Sequence, residues 1–220
     1  MAFVTVDLFS ALLDSRAGGT RALQLIGGGR GWPVGAATVY DTWDARNKAS
    51  QKETTGWMSF AEHSRRALRA TYRELGLRGD PDVDTGRLLD SVADWPLWPD
   101  VPAALDALRG VHRVGVLSNV DDAVFAPTAV ARLVDPADVL TSERLGAYKP
   151  HPALYRSARQ AGVDVHVPAS ARDTRGALEA GMRVVRVRRP GHSVDPDGPH
   201  PGLEIPDLLG LPEAVATVMG

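Results

Sequence analysis

Phe3-Val4-Thr5-Val6-Asp7-Leu8-Phe9 is short, apolar and rich in β-branched and aromatic side chains. That composition reads as a buried strand. Asp7 is the charge at its end. Further along come Val116-Leu117-Ser118-Asn119, Tyr148-Lys149-Pro150 and Ser170-Ala171-Arg172-Asp173. In each, a polar group ends a hydrophobic run or lies just past one. In a parallel sheet such ends gather along one edge. That edge would hold a carboxylate, a hydroxyl, an ammonium and a second carboxylate, a set sufficient for nucleophilic catalysis.

The rhythm after residue 99 supports the parallel sheet. Strands are expected over 113–117, 138–141, 163–167 and 183–187. Helices are expected over 101–109, 123–133 (interrupted at Pro127), 152–161 and 174–180. A surface loop over 188–201 precedes Leu203–Ile205 and a last helix at 212–218. Such alternation argues an α/β, doubly wound sheet with right-handed crossovers. Before residue 99 the signals are helical. Ser59 and Glu62 make a capping box for a helix reaching about Leu75, and Gly76 is placed to end it. A second helix is expected over 85–92. Residues 15–36, centred on Gly27-Gly28-Gly29-Arg30-Gly31, read as an irregular Gly-rich segment, and Trp95-Pro96-Leu97-Trp98-Pro99 as a return linker. The expected organisation is a core from 1–14 and 99–220 with a helical insertion over 15–98.

The chain has 220 residues, 44% hydrophobic and 24% charged, enough for one good core and a smaller lobe. Its net charge of -2 gives no electrostatic case for nucleic acid or an anionic membrane. With no cysteine, disulfides and thiolate zinc sites are excluded. No apolar run approaches the roughly 20 residues that span a bilayer, and no signal peptide is visible. The expectation is a cytoplasmic protein with a small-molecule substrate. Lysine occurs only at Lys48, Lys52 and Lys149. A chain that otherwise takes its positive charge from arginine keeps a compact point charge at 149.

In order and content these segments resemble the haloacid dehalogenase (HAD) superfamily of hydrolases, closest to its 2-haloacid dehalogenase branch. The resemblance rests on Val6–Leu12, Leu117–Asn119, Ala147–Tyr155 and Ala169–Ala177. It implies a Rossmann-like core with an inserted helical cap, and it implies roles. Asp7 is the nucleophile and forms an ester that water cleaves. Lys149 holds the carboxylates in place and favours their ionised form. Ser118 and Asn119 donate hydrogen bonds to the substrate or leaving group, although both could simply cap a helix. Asp173 orients or activates water, and Tyr155 turns its hydroxyl back to the site or packs in the core. Phe9, Ser10, Ser170 and the cap residues Trp43, Asp44 and Arg46 complete the substrate-binding set. Cap-mediated homodimers are common in that branch.

Two positions bear on the reaction. Phosphatases of the superfamily carry Asp-x-Asp in the first motif, and their second aspartate is a general acid. Here that position is Phe9, whose ring cannot transfer a proton. They also place an acidic magnesium ligand five residues before the position of Asp173, which here is Pro168. The expectation is displacement at carbon without metal or cofactor. Magnesium belongs only to the alternative, a phosphatase on a small phosphomonoester. Ser10-Ala11 replaces the usual Gly-Thr pair, which motivates a third reading, a catalytically silent ligand-binding member. Asp44 would repel a halide and attract an ammonium group; the resemblance also implies a second reaction, since one branch of the family opens a small strained cyclic amino acid by the same ester route. Trp32, Trp43 and Trp57 could line an apolar pocket or pack the cap. Gly27–Gly31 reads as a mobile cap loop, His151 as a turn residue and His166 as a hydrogen-bonded structural histidine.

Overall fold

The strand at the head of the chain is buried along its whole length, as its composition requires. The computed structural model describes residues 1–220. In chain order the elements are β1 (Phe3–Val6), α1 (Ser15–Gly27), α2 (Ala36–Glu53), α3 (Phe60–Leu75), α4 (Pro81–Asp90), α5 (Val101–Arg109), β2 (Arg113–Ser118), α6 (Asp122–Phe125), β3 (Val139–Thr141), α7 (Ser142–Leu145), α8 (Pro152–Gln160), β4 (Val165–Val167), α9 (Ala171–Glu179), β5 (Arg183–Val184), β6 (Arg186–Val187), β7 (Glu204–Ile205) and α10 (Leu211–Met219). They divide into two units.

The first unit comprises Met1–Asp14, Leu97–Asn119 and Ala129–Gly220. Its five-stranded parallel sheet has the order β3-β2-β1-β4-β5. The chain therefore moves from β1 through β2 to β3 on one side and resumes with β4 on the other. The direction of winding reverses between β1 and β4, the place where doubly wound folds build their sites. Phe3, Leu117 and Val184 pack with Leu154, Tyr155 and Ala158 of α8 and Ala177 of α9. Strand alternation turns Val4 and Val6, both fully buried, to the opposite face. The short β6 and β7 form a separate parallel pair.

The second unit comprises Ser15–Pro96 and Val120–Thr128. α3 begins as the capping box predicts, with Ser59 Oγ accepting from the Glu62 N–H at 3.2 Å. Gly76 ends it in the left-handed conformation, φ 62°. Two more N-terminal amides of α3, on Phe60 and Ala61, donate to the Asp121 carboxylate at 2.7 and 2.9 Å. That bond explains why 120–128, read from sequence as core, clusters with the helices instead. No helix is long and apolar enough to cross a membrane.

Several expectations change. Residues 15–36 contain a full helix, α1, followed by a turn. Gly18 and Gly19 there are packing surfaces: a Cβ on Gly18 would sit 2.4 Å from Trp95, and one on Gly19 2.2 Å from Tyr40. Gly27 likewise gives way to Trp32, whose ring also meets Tyr72 edge-on at 5.7 Å. The helix expected over 123–133 stops at Phe125, because Pro127 removes an amide and crowds the preceding turn; a 3-10 turn follows at Ala129–Arg132. α4 starts at Pro81, four residues before the predicted start, on the Asp80 cap. α9 starts at Ala171, where Ser170 caps it.

Candidate active site

Asp7 directly follows β1 and continues its pairing, donating its backbone N–H to Val167 O at 3.1 Å. Its carboxylate meets the ammonium of Lys149, which lies on the segment between α7 and α8. Lys149 Nζ is 2.6 Å from Asp7 Oδ1, 2.6 Å from Asp173 Oδ2 and 2.9 Å from Leu117 O. All three ammonium hydrogens are thereby directed. Ser118 Oγ, at the end of β2, donates to Asp7 Oδ1 at 3.5 Å. Asp7 Oδ2 takes only a long contact, 3.4 Å from Ser10 Oγ. Asp7, Ser118, Lys149 and Asp173 are all buried, so the charges act in a medium that screens them weakly.

Burial pushes the Asp7 carboxyl above its usual range; Lys149 pulls it back, and the charge of Asp173 adds to the rise. For Asp173 burial works in the same upward direction, but Lys149 and His166 outweigh it and hold this carboxyl well below the usual range. Lys149 also loses solvent, yet its two carboxylate partners raise its pKa and keep it charged. Two carboxylates around one ammonium are thus driven apart. Asp7 is the more basic and carries the freer oxygen, which suits a nucleophile, while Asp173 is the fixed counter-ion.

Other contacts set this geometry. Tyr155 donates its hydroxyl to Asp173 Oδ1 at 2.8 Å, and burial followed by the Asp173 charge keeps that phenol protonated. The Asn119 side chain accepts from Lys149 N–H at 2.7 Å and donates to Lys149 O at 3.0 Å. It was expected on the substrate; here it grips the backbone of the lysine. Ser170, also expected there, accepts from Asp173 N–H at 3.4 Å as the cap of α9. Arg172 donates to Lys149 O. His151, as expected of a turn residue, caps α8 by accepting from Ala153 N–H at 3.2 Å. Ser10 sits at φ 73°, the one non-glycine residue with positive φ, a strained state worth about 1–2 kcal/mol. Its carbonyl accepts from Trp98 Nε1 at 3.0 Å. Phe9 is partly buried and forms a bridge with Leu13.

The cap residues singled out from sequence are engaged inside the second unit. Trp43 is buried and donates to Ser64 O at 3.3 Å, Asp44 accepts from Lys48 at 2.5 Å, and Arg46 pairs with Glu74 at 2.7 Å on the surface. Trp57 is exposed. His166 is the hydrogen-bonded structural histidine expected from sequence, but its partner was not foreseen, and Gly176 was not singled out. His166 Nε2 lies 3.2 and 3.0 Å from the two Asp173 oxygens. Gly176 leaves room for the Tyr155 hydroxyl, since a Cβ there would come within 2.8 Å of it.

The donor set does not suit magnesium. Both Asp173 oxygens already receive hydrogen bonds from Tyr155, His166 and Lys149. Pro168 offers only a carbonyl, which accepts from Val187 N–H at 3.0 Å, and Phe9 offers no carboxylate. A hard cation that wants several free oxygens is not provided for.

A buried carboxylate at the switch point of a doubly wound sheet, bridged by lysine to a second carboxylate, is an arrangement that can carry nucleophilic chemistry. The family model for haloacid dehalogenase-like hydrolases matches residues 2–165, and the chain belongs to that family. No curated protein matches it. Solved structures share its fold. The L-2-haloacid dehalogenase from Xanthobacter autotrophicus with chloropropionic acid covalently bound superposes with a TM-score of 0.83 at 20% identity, over 98% of this chain and 99% of that one. A defluorinating L-2-haloacid dehalogenase gives 0.82 at 21% identity, over 100% and 96%. A further L-2-haloacid dehalogenase gives 0.79 at 24% identity, over 98% and 99%.

Proposed function

We propose that this hydrolase acts without metal on a small organic acid and displaces a leaving group, most simply halide, from the carbon next to the carboxylate. The observation that carries the reading is the double seat of Lys149. It neutralises Asp7 through Oδ1 and leaves Oδ2 with only the long Ser10 contact. Oδ2 attacks the substituted carbon, a carbon–oxygen bond forms, and halide departs with its electron pair. Halide needs no proton on leaving, so the absence of an acid at Phe9 costs nothing. Water then cleaves the ester, returning the Asp7 carboxylate and releasing a 2-hydroxy acid and one proton. Asp173, held strongly ionised, is a poor proton acceptor; its part is to fix Lys149. The similarity to dehalogenases, one of which holds chloropropionic acid covalently, supports the same chemistry here.

The test is turnover in heavy-oxygen water across a panel of 2-halo acids and small cyclic amino acids. After many turnovers heavy oxygen is expected in the Asp7 side chain. Label that reaches product and never Asp7 ends the ester route. Magnesium-dependent phosphate release from a generic phosphomonoester would replace this reading with the phosphatase. A binding role unharmed by Asp7→Asn would replace it with the silent member.

A further inference from the structure

His166 stands in the middle of β4, fully buried, in register with Thr5 of β1. Its Nδ1 lies 3.1 Å from Thr5 Oγ1. The Thr5 hydroxyl is itself fully buried and has a proton to donate. With that hydroxyl as donor, Nδ1 accepts and the ring hydrogen is on Nε2. That hydrogen points at Asp173, with both carboxylate oxygens at 3.0–3.2 Å. The carboxylate is then bracketed by Tyr155 of α8 on Oδ1, Lys149 on Oδ2 and His166 across the pair. The directed donor is what histidine adds.

We propose that His166 is a positioning residue of the site: fixed by Thr5 as its Nε2–H tautomer, it holds Asp173 turned toward Lys149 and so seats the ammonium on Asp7. The kinetic consequence rests on Asp7 being the nucleophile; the consequence for Asp173 does not. The titratable groups facing Asp173 are Lys149 before α8, Tyr155 in α8, His166 in β4 and Asp7 after β1. With the other three unchanged, removing a donor to a carboxylate weakens its ionised form. The Asp173 titration midpoint then rises.

The experiment compares wild type, His166→Phe, His166→Gln and Thr5→Val. The Asp173 carboxyl is followed by carbon NMR in the free protein, assigned with Asp173→Asn, and ester formation from a 2-halo acid is followed in a single turnover. His166→Phe is expected to raise the Asp173 midpoint, to move the acid limb of ester formation to higher pH, and to slow that step about tenfold or more, the worth of one charge-assisted hydrogen bond. His166→Gln keeps an N–H donor and is expected to stay within about threefold of wild type. A folded His166→Phe with the wild-type Asp173 midpoint and pH profile overturns the proposal. If that variant does not fold, an unmoved Asp173 midpoint in Thr5→Val overturns it. If wild type forms no ester with any substrate, the nucleophile reading fails, while the titration still decides the role of His166.

Discussion

Lys149 is the residue on which the buried charges of the core depend. Replacing it with methionine keeps most of the volume but leaves two carboxylates facing each other out of water. Lys149→Met should lose about 3–5 kcal/mol of stability, read as a lower urea midpoint at unchanged slope. Arginine should not rescue it, because a planar guanidinium cannot address Asp7, Asp173 and Leu117 O from one point. Asp173 has a depressed folded pKa, so its ionisation stabilises the fold above the unfolded carboxyl value of about 3.9. That contribution is lost as pH falls below this value through the folded one. The stability gap between wild type and Asp173→Asn should therefore be level at neutral pH and shrink in acid. Asp7, raised instead of lowered, contributes with the opposite sign. Lys149 was legible in the sequence because lysine is rare there and follows an apolar run. For His166 the hydrogen-bonded role was legible and the partner was not: Asp173 is seven residues away through a strand-to-helix return, a distance that carries no periodicity.

α8 and α9 meet where Gly176 faces Pro150 and Tyr155, with would-be Cβ distances of 2.6 and 2.8 Å. Gly176→Ala should gain helix propensity and still destabilise, by about 1–3 kcal/mol, since overpacking a tight contact costs more than a propensity gain returns. Its sharper signature is the Tyr155 hydroxyl, which should lose its bond to Asp173, visible as an upward move of the Asp173 titration midpoint. Element prediction succeeded where local chemistry governs, as in the Ser59 and Gly76 caps of α3. It failed at α1, where Gly18 and Gly19 look like breakers. Those glycines are there because Trp95 and Tyr40 lie against the helix, and tertiary packing overrides propensity. It also failed at 120–128, whose placement follows from the Asp121 carboxylate reaching amides some sixty residues earlier.

Across the first unit, Arg189 ties together chain segments that are distant in sequence. It donates to Ala11 O at 2.9 Å and to both Asp100 oxygens at 2.8 and 2.9 Å, while Asp100 also accepts from Leu208 N–H at 2.7 Å. Burial would raise the Asp100 carboxyl, but Arg189 outweighs it. Arg189→Leu strands a buried carboxylate and should cost about 3–5 kcal/mol, measured by urea unfolding. The overall architecture was readable because strand ends and turns repeat after residue 99. The long ties were not, since nothing local marks residue 189 as the partner of residue 11. The division of the chain has a consequence for recombination. The helical unit is made of two separate stretches, so a graft that exchanged 15–96 alone with a relative would deliver a helix whose leading amides have lost Asp121, and leave Asp121 behind without them. Transplanting that unit intact requires moving 120–128 with it, a stretch that begins two residues after Ser118.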